Sequence, residues 1–263
     1  EVDPNWLSEL VTVAESDAMI GALQPKLLNL RDRQLFDYAG AAGAYLDKYG
    51  YVACRGRIFD TIERDLGQYN EACEVFWAAG AAIFIRTKVL SEIGLLDEDF
   101  YAHFEEIDLC WRIRLAGYKI LYTPHSVVYH LSKGTPNPRR NYLNHRNSLL
   151  TLLKNYSLRN ACKYTVFRLI FDIINIGYAL FRRDLDWAKA IVKSFLWILI
   201  HPRLIAKKRR AAQQIRKVPD AEIMRMTVKK SVVIQYFLQG RKTYTRLKGV
   251  PASVMNEKYA NSD

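Results

Sequence analysis

Two adjoining segments, FEEIDLCWRIRLAGYKI (Phe104–Ile120) and YTPHSVVYH (Tyr122–His130), decide how this chain is read. The first predicts a helix over Glu105–Ala116, closed by Gly117 where a left-handed residue is needed. On it Glu105, Asp108 and Arg112 share one face, and Asp108 with Arg112 forms an i,i+4 ion pair. Glu106 is turned about 100° from Glu105 and about 200° from Asp108, so it points elsewhere. It also sits in the first helical turn, where the helix N-terminus favours an ionised carboxylate. A carboxylate so placed suits a general base, although acids in a first turn are also ordinary structural features. His130 ends an apolar alternating strand, as a metal ligand or as a satisfied edge residue.

Working outward, Tyr118–Tyr122 and Ser126–Tyr129 read as strand pieces around Pro124, and Leu95–Phe104 as a loop rich in acids and aromatics. Lys88–Ile93 is a short helix, and Glu74–Arg86 (EVFWAAGAAIFIR) a strand with a bend at Gly80. Residues 38–51 are irregular, and Met19–Leu28 opens as a strand interrupted by Pro25. Asp3 as N-cap and Pro4 at the first helical position start a helix through Ala14. Downstream, Lys133–Arg139 (KGTPNPR) is a loop and marks a domain boundary, giving 1–132 and 133–263. Helices are expected near 140–156, 161–181, 185–200, 203–217 and 220–238. None reads as a transmembrane span, because Arg168 and Asp172 interrupt the most apolar one.

Charge divides at the same boundary. Residues 1–132 carry 12 Lys+Arg and 20 Asp+Glu, and residues 133–263 carry 27 and 7, so a net of −8 is followed by +20. The basic half calls for an anionic partner. Its cations interleave with long aliphatics, not with an aromatic stacking platform, which disfavours nucleic acid. The run Lys207-Lys208-Arg209-Arg210, near SFLWILI (Ser194–Ile200), reads as a peripheral contact with an anionic membrane. Arg55-Gly56-Arg57 is a weaker anion site or a solvated loop. The cysteines Cys54, Cys73, Cys110 and Cys162 form no C-x-x-C, which argues against a thiolate zinc site.

Six elements occur in order: W-x-x-G-A-A (77–82), an apolar strand with Arg86, I-G-L-L-D-E-D-F (93–100), E-E-I-D-L-C-W-R (105–112), A-G-Y-K-I (116–120) and P-x-x-x-V-x-H (124–130). The set resembles glycosyltransferase family 2, and within it rhamnosyltransferase-like members acting on cell-surface polysaccharides. The resemblance covers about 55 residues closely, and more loosely runs from Trp6 through Arg146-Asn147. It implies an inverting transferase of GT-A, Rossmann-like α/β fold, followed here by an α-helical, membrane-associating region. It makes Glu106 the catalytic base, where the family usually has Asp. It places Trp77, Gly80, Glu105 and Asp108 at the acceptor and makes His130 a ligand of Mg2+ or Mn2+. Core packing is the rival reading for Trp77. The implied partners are a nucleotide-sugar donor and a saccharide or lipid-linked acceptor, on the cytoplasmic face of the inner membrane. The family's D-x-D motif would stand just before residues 1–7, so the chain reads as a C-terminal portion without the nucleotide-binding half, inactive alone. The rival reading is a non-enzymatic membrane-binding module.

Overall fold

The structure is a computed structural model and describes residues 1–132 and 139–251. It is mixed α/β, as expected. Strand β1 (Ile20–Asn29) lies parallel to β8 (Lys119–His130), and the two form the centre of a four-stranded sheet. Two short antiparallel strands flank them, β6 (Cys73–Glu74) on β8 and β7 (Phe84–Ile85) on β1. A second, antiparallel sheet runs in chain order through β2 (Ala44–Leu46), β3 (Val52–Cys54), β4 (Arg57–Ile58) and β5 (Thr61–Ile62).

Nearly all of β1 is buried, because helices cover both faces of the sheet. Leu10 and Ala14 of α1 (Trp6–Ser16) pack with Ile20, Leu23 and Leu121. Helix α3 (Glu105–Leu115) packs its Ile107, Cys110, Trp111 and Ile113 into the larger core that holds Ala22, Ile120 and Tyr122. Gly21 permits this approach: a Cβ there would lie 2.9 Å from both Ile113 Cγ2 and Tyr118 Cβ. Gly117 ends α3 at φ 88°, as its position after the helix predicts.

Several expectations fail in the details. Helix α1 starts at Trp6, not Pro4: Asp3 accepts from the Asn5 amide in a local turn, and its own N–H donates to Val127 of β8. Pro25 does not end β1; it sits at a register shift against β8. The stretch 74–86 is not a strand. Among the described residues its ends pair in β6 and β7, Trp77 makes an isolated bridge to Ala44, and the chain turns away from there to Ala82. The strand pieces around Pro124 are one continuous strand.

The basic half contains α4 (Arg140–Asn155), α5 (Leu158–Phe181), α6 (Leu185–Ile200), α7 (Pro202–Gln214) and α8 (Asp220–Arg225). The helix expected over 220–238 breaks after Arg225. Val228 returns to the small sheet, donating to Leu46, and the Val232 amide donates to Asp47 at 2.9 Å. A π-helical turn, Ile234–Leu238, follows. Helix α5, read from the sequence as no span because Arg168 and Asp172 interrupt it, is long and apolar enough to cross a bilayer by length and composition alone. The boundary loop falls mostly outside the described residues.

Candidate active site

The site forms where the first turn of α3 meets the turn Trp77–Ala82. Tyr101, His103 and Phe104 all have positive φ, 63°, 66° and 71°, in the loop that delivers the chain to Glu105. For residues with a Cβ this conformation is strained and has to be held by its surroundings. Helix α4 holds it. The Asn147 side-chain amide donates to the carbonyls of Phe100, Ala102 and His103 at 3.0, 2.9 and 2.6 Å. Arg146 donates to the carbonyls of Asp99 and Phe100 at 2.6 and 3.1 Å. The Arg-Asn pair thus fixes the backbone from which the acids emerge.

Glu105 and Glu106 are half-buried side by side. Among the described residues, Oε2 of each is shielded from solvent with no hydrogen-bond partner. Burial pushes the Glu106 carboxyl up to about 7, the neighbouring charge of Glu105 adds to the rise, and the backbone N–H groups of Glu106 and Ile107 oppose it. The preference for an ionised carboxylate at the helix start is therefore present but outweighed by desolvation. A carboxylate with that affinity for protons suits a general base at neutral pH.

Gly80 closes one side: a Cβ there would sit 3.8 Å from Glu106 Cβ. The turn bearing Gly80 is pinned from below. The Ala79 amide donates to buried Gln24 at 2.6 Å, and the Ala78 amide to Cys110 Sγ at 3.4 Å. Gly40 crosses it so closely that a Cβ would lie 2.4 Å from Ala79 Cβ. Trp77 sits in the core at 4% exposure, its indole N–H without a partner among the described residues. Asp108 is separated from the two glutamates in role: it is fully buried, and both oxygens are engaged by Arg112, Lys154 and Asn155 at 2.9, 2.8 and 2.9 Å. In this arrangement its carboxylate holds α3 to α4.

The second cluster surrounds His130. Its Nδ1 lies 3.0 Å from Asp37 Oδ1, which also accepts from the Ser132 hydroxyl at 2.8 Å. Asp37 Oδ2 is buried with no partner among the described residues. Sequence reasoning missed Asp37, which lies 93 residues from its histidine. With Nδ1–H donating to the carboxylate, Nε2 carries the lone pair, the arrangement that orients metal-binding imidazoles. These residues fit one imidazole position of a metal shell. Among the described residues, no group of three or more His, Cys, Asp or Glu could hold an ion.

Tyr38, next to Asp37, leads back toward the acids. Arg57 lies over its ring at 4.1 Å, and Arg140 donates to its hydroxyl at 2.8 Å. Arg57 also donates to Cys54 Sγ at 3.4 Å, and the Cys54 thiol feels the charge of Glu106. Burial lowers His103, while Glu105 raises it and Arg140 lowers it further, which puts all three within electrostatic reach. Two guanidinium groups, Arg57 and Arg140, thus meet at Tyr38, the neighbour of Asp37. Of the earlier pair, Arg57 belongs to this region; Arg55 is structural, buried over the rings of Tyr69 and Tyr122.

Residues 2–147 match the family described as glycosyltransferase like family 2. The chain belongs to this family. The match covers both sheets, α3 and the Arg146-Asn147 clamp. The chain is also similar to uncharacterized protein y4gI of Sinorhizobium fredii (strain NBRC 101917 / NGR234), 27% identical over 139 residues, 49% of this chain and 14% of that protein. It is 33% identical over 57 residues to rhamnosyltransferase WbbL of Escherichia coli (strain K12), 21% of this chain and 22% of that protein. The chain thus spans under a quarter of the length of each of these curated relatives.

Proposed function

We propose that this glycosyltransferase family 2 chain supplies the acceptor side of an inverting glycosyl transfer, from a nucleotide-sugar to a saccharide or lipid-linked saccharide, in the synthesis of a cell-surface polysaccharide. The observation that carries the reading is the half-buried Glu105–Glu106 pair, held on a strained loop beside Gly80. Glu106 takes the proton of the acceptor hydroxyl as that oxygen attacks the anomeric carbon. Its raised proton affinity gives it the driving force to do so near neutral pH, and Glu105 sustains that affinity. Gly80 faces the acceptor beside Glu106, with Trp77 packed behind it in the core. Arg57 and Arg140 present cationic groups to the phosphates of the donor.

His130, oriented by Asp37, contributes one ligand to a Mg2+ or Mn2+ ion. Bound there, such an ion would supply positive charge against the charge of a departing diphosphate. One imidazole would supply only part of the ligands such an ion takes, and the others would have to come from groups outside this cluster. We therefore expect the 263-residue chain alone to be inactive. Calorimetry of this chain with manganese should show weak binding or none, and tight stoichiometric binding would contradict that part. We place the protein on the cytoplasmic face of the inner membrane, with its basic half toward anionic lipid. The test is transfer by the complete protein from a panel of nucleotide-sugars, with and without manganese. Turnover that survives Glu106→Gln would remove the assignment of the base.

A further inference from the structure

Helix α5 has its polarity reversed for a helix on the surface of a water-soluble domain. Its inward stripe holds a guanidinium and a carboxylate, Arg168 and Asp172, at 3% and 0% exposure. They pair at 3.1 Å, and their partners lie on neighbouring elements. His145 of α4 stands 3.4 Å from Asp172, while Arg168 donates to the Tyr49 carbonyl and lies over the Tyr51 ring. The opposite stripe carries Phe167, Ile170, Ile174, Tyr178 and Phe181, from 45% to 85% exposed. A soluble amphipathic helix turns its apolar stripe to the core. Here the two residues that interrupt the sequence hydropathy face inward, and the outer face is left wholly apolar over four turns.

The apolar face continues across the turn into α6, where Leu185, Val192, Leu196 and Leu199 are also exposed. Cations border it. Over residues 158–200 the exposed charges are Arg159, Lys163, Arg182, Arg183, Lys189 and Lys193 against Asp184 and Asp186. Six against two gives a positive rim around an apolar centre. Lys189 and Lys193 are interleaved with Val192 and Leu196, so their aliphatic stems can lie on apolar surface while the ammonium groups reach outward.

We propose that the outward face of the α5–α6 hairpin lies in the interfacial layer of a bilayer containing anionic lipid. This rests on the reading of the basic half as the membrane-facing half, and it names the surface. The charge pattern selects lipid over a second copy of the chain. A two-fold contact through this face would bring together two surfaces that each carry six cations and only two acids. The buried network selects docking over spanning. Inserting α5 through the bilayer would strip Arg168 and Asp172 of His145 and Tyr49 and put both in hydrocarbon. The helix axis therefore lies along the membrane plane, with Phe167, Ile174 and Phe181 reaching into the acyl boundary.

The experiment is sedimentation of the full 263-residue chain with vesicles of phosphatidylcholine, with and without phosphatidylserine, over a range of salt. The variants are Ile174→Ser with Phe181→Ser, and Lys189→Glu with Lys193→Glu. These side chains point outward, so circular dichroism and melting should match the parent. The parent should bind phosphatidylserine vesicles, less strongly but still measurably at high salt. The serine pair should weaken that binding about tenfold or more, and the glutamate pair should abolish the preference for phosphatidylserine. Equal binding by parent and serine pair overturns the proposal, as does no binding by the parent. A dimer in size-exclusion chromatography that the serine pair dissociates, without vesicle binding, assigns the face to a second copy instead. Retention on membranes after carbonate extraction assigns α5 to a span. No sugar nucleotide is present, so failure here leaves the proposed transfer reaction untouched.

Discussion

In the first turn of α3, Glu105 and Glu106 each bury a carboxylate oxygen that no donor among the described residues meets. In the same turn, Asp108 has both oxygens engaged by three side-chain donors. The two places share a helix and an amino-acid class, yet they differ in what the fold does with buried charge. At Asp108 the desolvation of a carboxylate is offset by Arg112, Lys154 and Asn155, so the group serves cohesion. At Glu106 it is left standing, and the consequence is a carboxyl raised to about 7. Buried polar groups in native structures are nearly all satisfied, so exceptions point to chemistry.

The sharpest way to break the comparison is to neutralise the unsatisfied acid. Glu106→Gln in the complete protein should lower kcat about 10²- to 10⁴-fold, the range for loss of a general base, with KM little changed. Its circular dichroism and melting should show an intact fold. Steady-state transfer within a few-fold of the parent would make Glu106 merely structural.

Removing the satisfied acid should do the opposite. Asp108→Ala leaves Lys154 and Arg112 buried without their shared carboxylate, and it should cost about 3 kcal/mol in urea unfolding. The expected loss sits at the lower end for a broken buried pair because both cations keep other partners. Lys154 still meets Asp97 at 2.7 Å, and Arg112 still donates to the carbonyls of Ile93 and Leu95 at 2.8 and 2.7 Å. A stability change below about 1 kcal/mol would mean the network is not what holds α3 to α4.

Between these extremes lies the loop that presents the acids. Asn147→Ala removes one amide that serves three carbonyls in a run with three positive-φ residues. It should cost about 2 kcal/mol and speed amide exchange over residues 99–106 more than elsewhere. Exchange that rises uniformly across the chain would show that Asn147 supports the whole fold and not this loop.

The legible and illegible parts of the sequence follow the same division. Helix α3, its glycine stop and the Asp108–Arg112 pair are local patterns, and each was readable; the strand ending at His130 was read only as two pieces around Pro124. What escaped depends on contacts distant in sequence. The alternation over Glu74–Arg86 suits a strand, but only the crossing of Gly40 over Ala79 and the hold of Gln24 on the Ala79 amide reveal a turn. Asp37 carries no motif of its own; an acid before Tyr-Ala-Gly looks like any turn residue until His130 arrives beside it. The positive-φ conformations at Tyr101 and Phe104 have no sequence signal, because neither is glycine, asparagine, aspartate or histidine. In α5, charge was counted along the chain, whereas its direction decides its meaning.

The smallest effect offers the cleanest test of the first comparison, because this chain suffices for it. In the folded state the Glu106 carboxyl is raised from 4.5 to about 7, chiefly by burial and then by Glu105. Between those values the folded chain holds a proton that the unfolded chain has lost, so stability falls as pH rises through that window. Asp47 acts in the same direction between 3.8 and about 6, since burial outweighs the amides of Val232, Tyr51 and Tyr49. Asp97 acts oppositely. Burial would raise it, but Lys154 and Lys208 hold it at about 2, so its contribution is lost only as pH falls from 3.8 through 2. Glutamine at position 106 removes the first of these and leaves the other two. Its advantage over the parent in urea midpoints should therefore be near zero at pH 4.5 and grow to roughly 1–2 kcal/mol by pH 8. A gain independent of pH would mean that glutamine merely packs better. No gain at any pH would mean that solvent or a donor reaches Glu106 Oε2, and that the fold does not treat the charges of Glu106 and Asp108 differently.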